Sequence, residues 1–204
     1  MSFLFLIFGN TFGTNRFMGM LEIYQNMITG IIVFYHRKHV RYPVILLMLF
    51  SISLNVFASR LQGIDLRSWQ GILYLIFFSL VALEVFKVVL YSKTVSRELL
   101  SASLCGFVLL CLIGTFLFYQ IDVEAPRSFS NTGEGGAILT NLNYFSFTTL
   151  LTTGYGDITP VTLVAKRAVM LMGLAGHFYT VFITSIIIGK YLSIPEAGRR
   201  PGSG

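Results

Sequence analysis

Charge is scarce in this sequence. Only 12% of its 204 residues are charged, 54% are hydrophobic, and the mean hydropathy is +0.73. Water cannot solvate such a chain as a globule, which excludes a soluble domain and points to an integral membrane protein. Cysteine is nearly missing as well. Cys105 and Cys111 fall six positions apart on one expected helix, so they cannot bridge within a chain and read as small apolar residues. No internal repeat is visible, which argues against a secondary transporter. No nucleophile paired with a base, and no His-x-x-x-His pair, falls on an expected span, so neither an enzyme nor a cofactor is expected. His36 and His39 stand among Arg37, Lys38 and Arg41, a cluster suited to anionic lipid. The net charge of +6 sits at expected membrane edges and implies no nucleic-acid partner.

What is present is apolar sequence in long runs. A membrane-crossing helix needs about 20 mostly apolar residues, because each residue rises about 1.5 Å through a hydrocarbon layer about 30 Å thick. Four runs fit, from Pro43 to Arg60, Trp69 to Tyr91, Leu99 to Gln120 and Leu163 to Leu192. Phe17 to Tyr35 is different. Phe17, Leu21, Tyr24, Ile28 and Ile31 share one helical face, while Glu22, Gln25, Asn26 and Thr29 lie elsewhere, a pattern expected of a helix in the interface. The opening MSFLFLIFG lacks a basic n-region and a cleavage site, so it is expected to be retained.

The fold expected is thus an all-α membrane protein of about four transmembrane helices. It divides into an N-terminal segment (1–42), two additional helices (43–97), a further module (98–193) and a short cytoplasmic tail (194–204). With both ends inside, Arg37, Lys38, Arg41, Lys87, Lys93, Arg97, Lys190, Arg199 and Arg200 lie on the inner side. Arg60, Arg67, Arg127, Lys166 and Arg167 lie outside, and the inward excess favours this orientation.

Between the last two spans the chain changes character twice. Residues 122–137, DVEAPRSFSNTGEGGA, are polar and rich in Gly and small residues, which implies an exposed outer loop. Ile138 to Leu151 is apolar and aromatic enough for a helix, yet 14 residues reach only about 20 Å, so it is expected to enter the membrane and stop. TTGYGD must then return to the surface as extended chain. Irregular backbone at that depth survives only where protein, water or ions satisfy its polar groups. Carbonyls facing a narrow axial pore meet the requirement by replacing the water of a dehydrated cation; potassium-channel filters are themselves the reference case for this. The two glycines supply backbone angles that β-carbons disfavour.

The order helix, short helix, TTGYGD, ITPVT, helix resembles the pore module of tetrameric potassium channels, whose signature is TVGYG, over roughly Leu99 to Leu192. The resemblance implies a filter of Thr152, Thr153, Gly154, Tyr155 and Gly156, with K⁺ held by backbone carbonyls of Thr152 to Tyr155 and by the Thr152 hydroxyl. It puts Asp157 behind the outer mouth, Tyr144 and Phe145 among the residues bracing the filter, and a gating-hinge glycine at Gly176. The last span also looks like the inner helix of small prokaryotic members, which implies a prokaryotic inner membrane with the filter facing outside. Two positions depart from the pattern. Thr153 stands where the family has Val, and Thr148 where some bacterial members carry a filter-bracing Glu. Val and Thr are nearly isosteric, so the strand should survive, while the hydroxyl could loosen selectivity.

One filter strand cannot close a pore, so a homotetramer around the pore axis is expected, with lipid and K⁺ as its other partners. Asp122, Glu124, Glu134 and Asp157 would make the outer vestibule acidic, opposed by Arg127. A voltage sensor would need Arg or Lys at every third position of a span, each worth about 2.3 kcal/mol per 100 mV, and Lys87 and Lys93 do not supply it. Glu84 and Lys87 read as an i,i+3 pair, and His177 as a packed residue or a proton sensor. Thr180, Thr184 and Ile188 follow Gly176 at helical spacing and could face the pore. A non-selective cation channel and a non-conducting partner subunit of the same fold are the alternatives.

Overall fold

A computed structural model describes residues 67–92 and 97–192, together with the isolated helical positions 46, 49 and 53. The expected interfacial helix from Phe17 to Tyr35, almost all of the expected span from Pro43 to Arg60, and the tail 194–204 lie outside the described residues. Among the described residues four helices follow in chain order: α1 Arg67–Tyr91, α2 Arg97–Glu124, α3 Ala137–Leu150 and α4 Leu163–Leu192. Three of them, α1, α2 and α4, are long and apolar enough to cross a membrane. At 14 residues α3 is about 21 Å long, too short to do so.

Helix α2 is the centre of the arrangement, because its two apolar faces have different partners. Along one face Leu109, Leu112 and Phe116 bury against Tyr74, Phe77, Phe78, Val81 and Val85 of α1. Phe78 stacks on Phe116 at 5.4 Å between ring centroids, and Tyr74 lies 5.2 Å from the same ring. Along the other, Cys111 and Phe118 join Leu142, Phe145 and Leu150 of α3 and Ala165 and Met172 of α4. Towards the opposite end, Val89, Leu99 and Ile183 form a small cluster with Phe86, Tyr179 and Ile187, which ties α1, α2 and α4 together.

Small residues set how closely these helices approach. A β-carbon on Gly114 would collide with the Ser146 hydroxyl, and one on Gly106 with the Tyr179 hydroxyl. The space those glycines leave is used for polar contacts. Ser146 donates to the Cys111 carbonyl at 2.7 Å, Thr115 donates to Asn143 Oδ1 at 3.0 Å, and Tyr179 donates to the Ser103 carbonyl at 2.7 Å. Hydrogen bonds across apolar helices specify orientation where lipid gives hydrophobic contacts little preference.

The described elements differ from expectation in one consequential place. Helix α2 continues past the apolar run to Glu124, so Asp122 is helical rather than part of an open loop. Its side chain is buried and accepts the Ser128 N–H at 3.0 Å. It therefore anchors the first turn after α2 and does not present its charge to an outer vestibule. Glu124 is also helical, and accepts from Gln120 at 2.9 Å. The Glu84–Lys87 pair forms as expected, at 2.6 Å.

Candidate functional site

The end of α3 is where regular structure gives way. The Leu151 N–H still donates to Phe147 O at 2.9 Å, and the Thr152 N–H then donates to Thr149 O at 3.0 Å. The next two amides break the pattern. Those of Thr153 and Gly154 both donate to the Thr148 carbonyl, at 2.9 and 3.2 Å, so two successive N–H groups turn to the same side. Thr148 thus braces the segment with its main chain. Its hydroxyl turns away and bonds the Phe145 carbonyl at 3.0 Å.

Beyond this anchor the sign of φ alternates. Thr152, Gly154 and Gly156 have φ of 58°, 55° and 79°, and the intervening Thr153 and Tyr155 have negative φ. In a chain whose residues alternate between right- and left-handed conformations, successive N–H groups gather on one side, as the amides of Thr153 and Gly154 do here. Glycine adopts a positive φ without penalty, which accounts for Gly154 and Gly156. Thr152 is the exception. A β-branched residue there is strained by about 1–3 kcal/mol, a cost composition did not reveal. Residues 151–157 are all exposed. Among the described residues, none of the carbonyls from Thr152 to Gly156 accepts a hydrogen bond.

Asp157 closes the segment and is held from two sides. Interaction with its carboxylate holds the Tyr144 phenol above its ordinary pKa, and its backbone carbonyl accepts from the Asn131 amide at 2.8 Å. Phe145 does something else: it is buried 5.5 Å from the Phe118 ring and 5.6 Å from Phe129, fixing α3 to α2 and to the loop between α2 and α3. That loop is itself pinned. The Ser130 N–H donates to Thr159 O at 2.9 Å, the Thr159 N–H returns to Ser130 Oγ at 2.9 Å, and the Val161 N–H donates to Ser128 O at 2.8 Å. Composition marked 122–137 as a loop and left its partners 159–161 unseen.

Gly176 lies on α4, which runs unbroken through it. A β-carbon at this position would stand 3.0 to 3.1 Å from Cγ, Cβ and the carbonyl oxygen of Leu150, so glycine is what lets α4 cross the end of α3. Thr180 and Thr184 sit one and two turns later, each hydroxyl donating back to the carbonyl four residues earlier, at 3.0 and 2.8 Å. They are exposed, as are Ile188 and His177.

Residues 105–192, from within α2 to the end of α4, match the family model described as "Ion channel". No curated protein and no solved structure is detectably similar to the chain. With three membrane-length apolar helices beside it, the match supports an integral membrane protein with an ion channel domain.

Proposed function

We propose that the chain forms a potassium-selective pore through which K⁺ crosses the membrane passively, assembled as a homotetramer around the segment Thr152 to Gly156. The observation that carries this reading is the backbone of that segment: three residues of positive φ alternating with two of negative φ, and five carbonyls that accept no hydrogen bond among the described residues. Unpaired carbonyls within a membrane are costly unless something replaces the missing donors, and a dehydrated cation does so. Carbonyls of Thr152, Thr153, Gly154 and Tyr155 would hold K⁺, and Asp157 with Tyr144 would support them from behind.

The burial of α4 supports assembly. Only 17% of its most apolar stretch is buried within the subunit, against 50% for α2. Leu171, Leu174, Phe178, Val181 and Phe182 are all exposed. Neighbouring copies around a cyclic axis would cover part of this surface and leave Thr180, Thr184 and Ile188 towards the pore. In that assembly α3 would re-enter the membrane from outside and aim the partial negative charge of its C-terminal end at the axis, which favours a cation. The excess of Lys and Arg on the opposite side supports a filter facing outwards and cytoplasmic termini.

The test is single-channel recording of purified protein in planar bilayers with potassium on one side and sodium on the other. A reversal potential near the potassium equilibrium value is expected. Current that reverses near zero would make the pore non-selective, with Thr153 the first residue to replace by Val. Absence of current would favour a non-conducting partner subunit.

A further inference from the structure

We propose that Asn131 is a positioning residue that ends the ion-facing run of carbonyls at Gly156, by drawing the next carbonyl, that of Asp157, out of the pore. The inference rests on the pore reading above. Its geometric basis is the 2.8 Å bond from the Asn131 side-chain amide to the Asp157 carbonyl. The carbonyls of the preceding five residues accept no such bond among the described residues, so this is where the run changes character.

A single exposed hydrogen bond contributes little unless its donor is held in place. Asn131 is held. Its own φ of 55° is left-handed, a conformation Asn tolerates better than most residues. On its N-terminal side Phe129 is buried between Phe118 and Phe145, and Ser130 exchanges bonds with Thr159 through main chain and hydroxyl. The next residue, Thr132, offers its carbonyl to the Asn141 amide of α3 at 3.0 Å. The residues on both sides of Asn131 are thereby fastened to the scaffold, and its amide acts as a strut aimed at one peptide plane.

Cations within the segment oppose its collapse, since convergent carbonyls repel one another when no ion lies between them. Loss of the strut should matter most when ions are few. Two variants separate the amide from the backbone. Asn131→Asp keeps the shape and the tolerance for left-handed φ but faces the Asp157 carbonyl with an acceptor. Asn131→Gly keeps the φ and removes the side chain. Both should assemble as the native chain does and carry potassium current that decays several-fold faster than native at low outer potassium, the difference closing as potassium is raised. Ser130→Ala, which loosens the same loop without touching Asp157, should have a smaller effect.

Decay at the native rate in both Asn131 variants would overturn the proposal. So would an equal or larger effect of Ser130→Ala, or assembled Asn131 variants silent at every potassium concentration; silence relieved by raising potassium would support it. A native chain that carries no potassium-selective current refutes the pore reading itself, before the variants are compared.

Discussion

The two ends of the ion channel domain are built differently. At one end, proposed as the outer one, from Asp122 to Thr162, polar groups are fastened to one another within the chain: Asp122 to the Ser128 amide, Ser128 and Ser130 to residues 159–161, Asn131 to Asp157, Asn141 to Thr132. At the other end, proposed as the inner one, α4 is joined to α1 and α2 mainly by apolar contacts, with two directional ties among them: the Tyr179 hydroxyl donates to the Ser103 carbonyl at 2.7 Å and the Lys190 ammonium to the Val89 carbonyl at 2.8 Å. Directional bonds fix a geometry, while apolar contact permits sliding. The contrast teaches that the end carrying residues 151–157 keeps its geometry by directional bonds within the chain, and that the end carrying Lys190 depends more on whatever packs on it.

The largest expected effect breaks the outer end at its most constrained point. Gly154 has φ 55° and nothing within 4 Å of where a β-carbon would stand, so Gly154→Ala meets no collision and pays only for backbone conformation. That cost is about 1–2 kcal/mol in each chain. Potassium selectivity should be lost, read from the reversal potential, while helix content by circular dichroism stays native. Selectivity that survives the substitution would contradict the filter assignment.

The second prediction sharpens the division along α4 itself. Gly173→Ala would bring a β-carbon no closer than 3.9 Å to Thr149, whereas Gly176→Ala would press on Leu150 side chain and backbone. Helix propensity alone favours both changes, by about 1 kcal/mol. Gly173→Ala should therefore be neutral or mildly stabilising in thermal unfolding. Gly176→Ala should be destabilised by about 1–3 kcal/mol through overpacking. A Gly176→Ala chain of unchanged stability but altered open probability would assign this glycine to hinge motion rather than to close approach.

Local patterns were legible in the sequence and distant partnerships were not. Hydropathy located α1, α2 and α4, and the length of the run from Ile138 marked α3 as too short to cross, because both signals are carried by neighbouring residues. The glycines of GYG declared positive φ at Gly154 and Gly156, while nothing about Thr152 announced the same backbone. Asn131 and Asp157 are 26 positions apart, and Ser130 and Thr159 are 29 apart. A polar loop advertises that it turns without naming what it touches. Asp122 was misread for a related reason: the apolar run stops at Ile121, but the helix continues for another turn on hydrogen bonding, and a carboxylate there finds an amide instead of solvent. At Thr148 the expectation followed the side chain, and the main chain makes the contact.

The smallest expected effect lies at the inner end. Lys190 stands in the last turn of α4 and reaches the last turn of α1, where carbonyls lack helical donors and carry partial negative charge. Lys190→Met keeps most of the apolar stem and removes the ammonium, a loss of about 0.3–1 kcal/mol. If the inner end is positioned by such weak ties while the outer end is self-supporting, this variant should shift open probability and leave the reversal potential where it was. Lys190→Arg, which still donates, should stay near native. A change of selectivity in Lys190→Met would mean that strain at the inner end of α4 travels through the Gly176 contact with Leu150 to the segment beyond α3, and the two ends would then have to be treated as one mechanical unit.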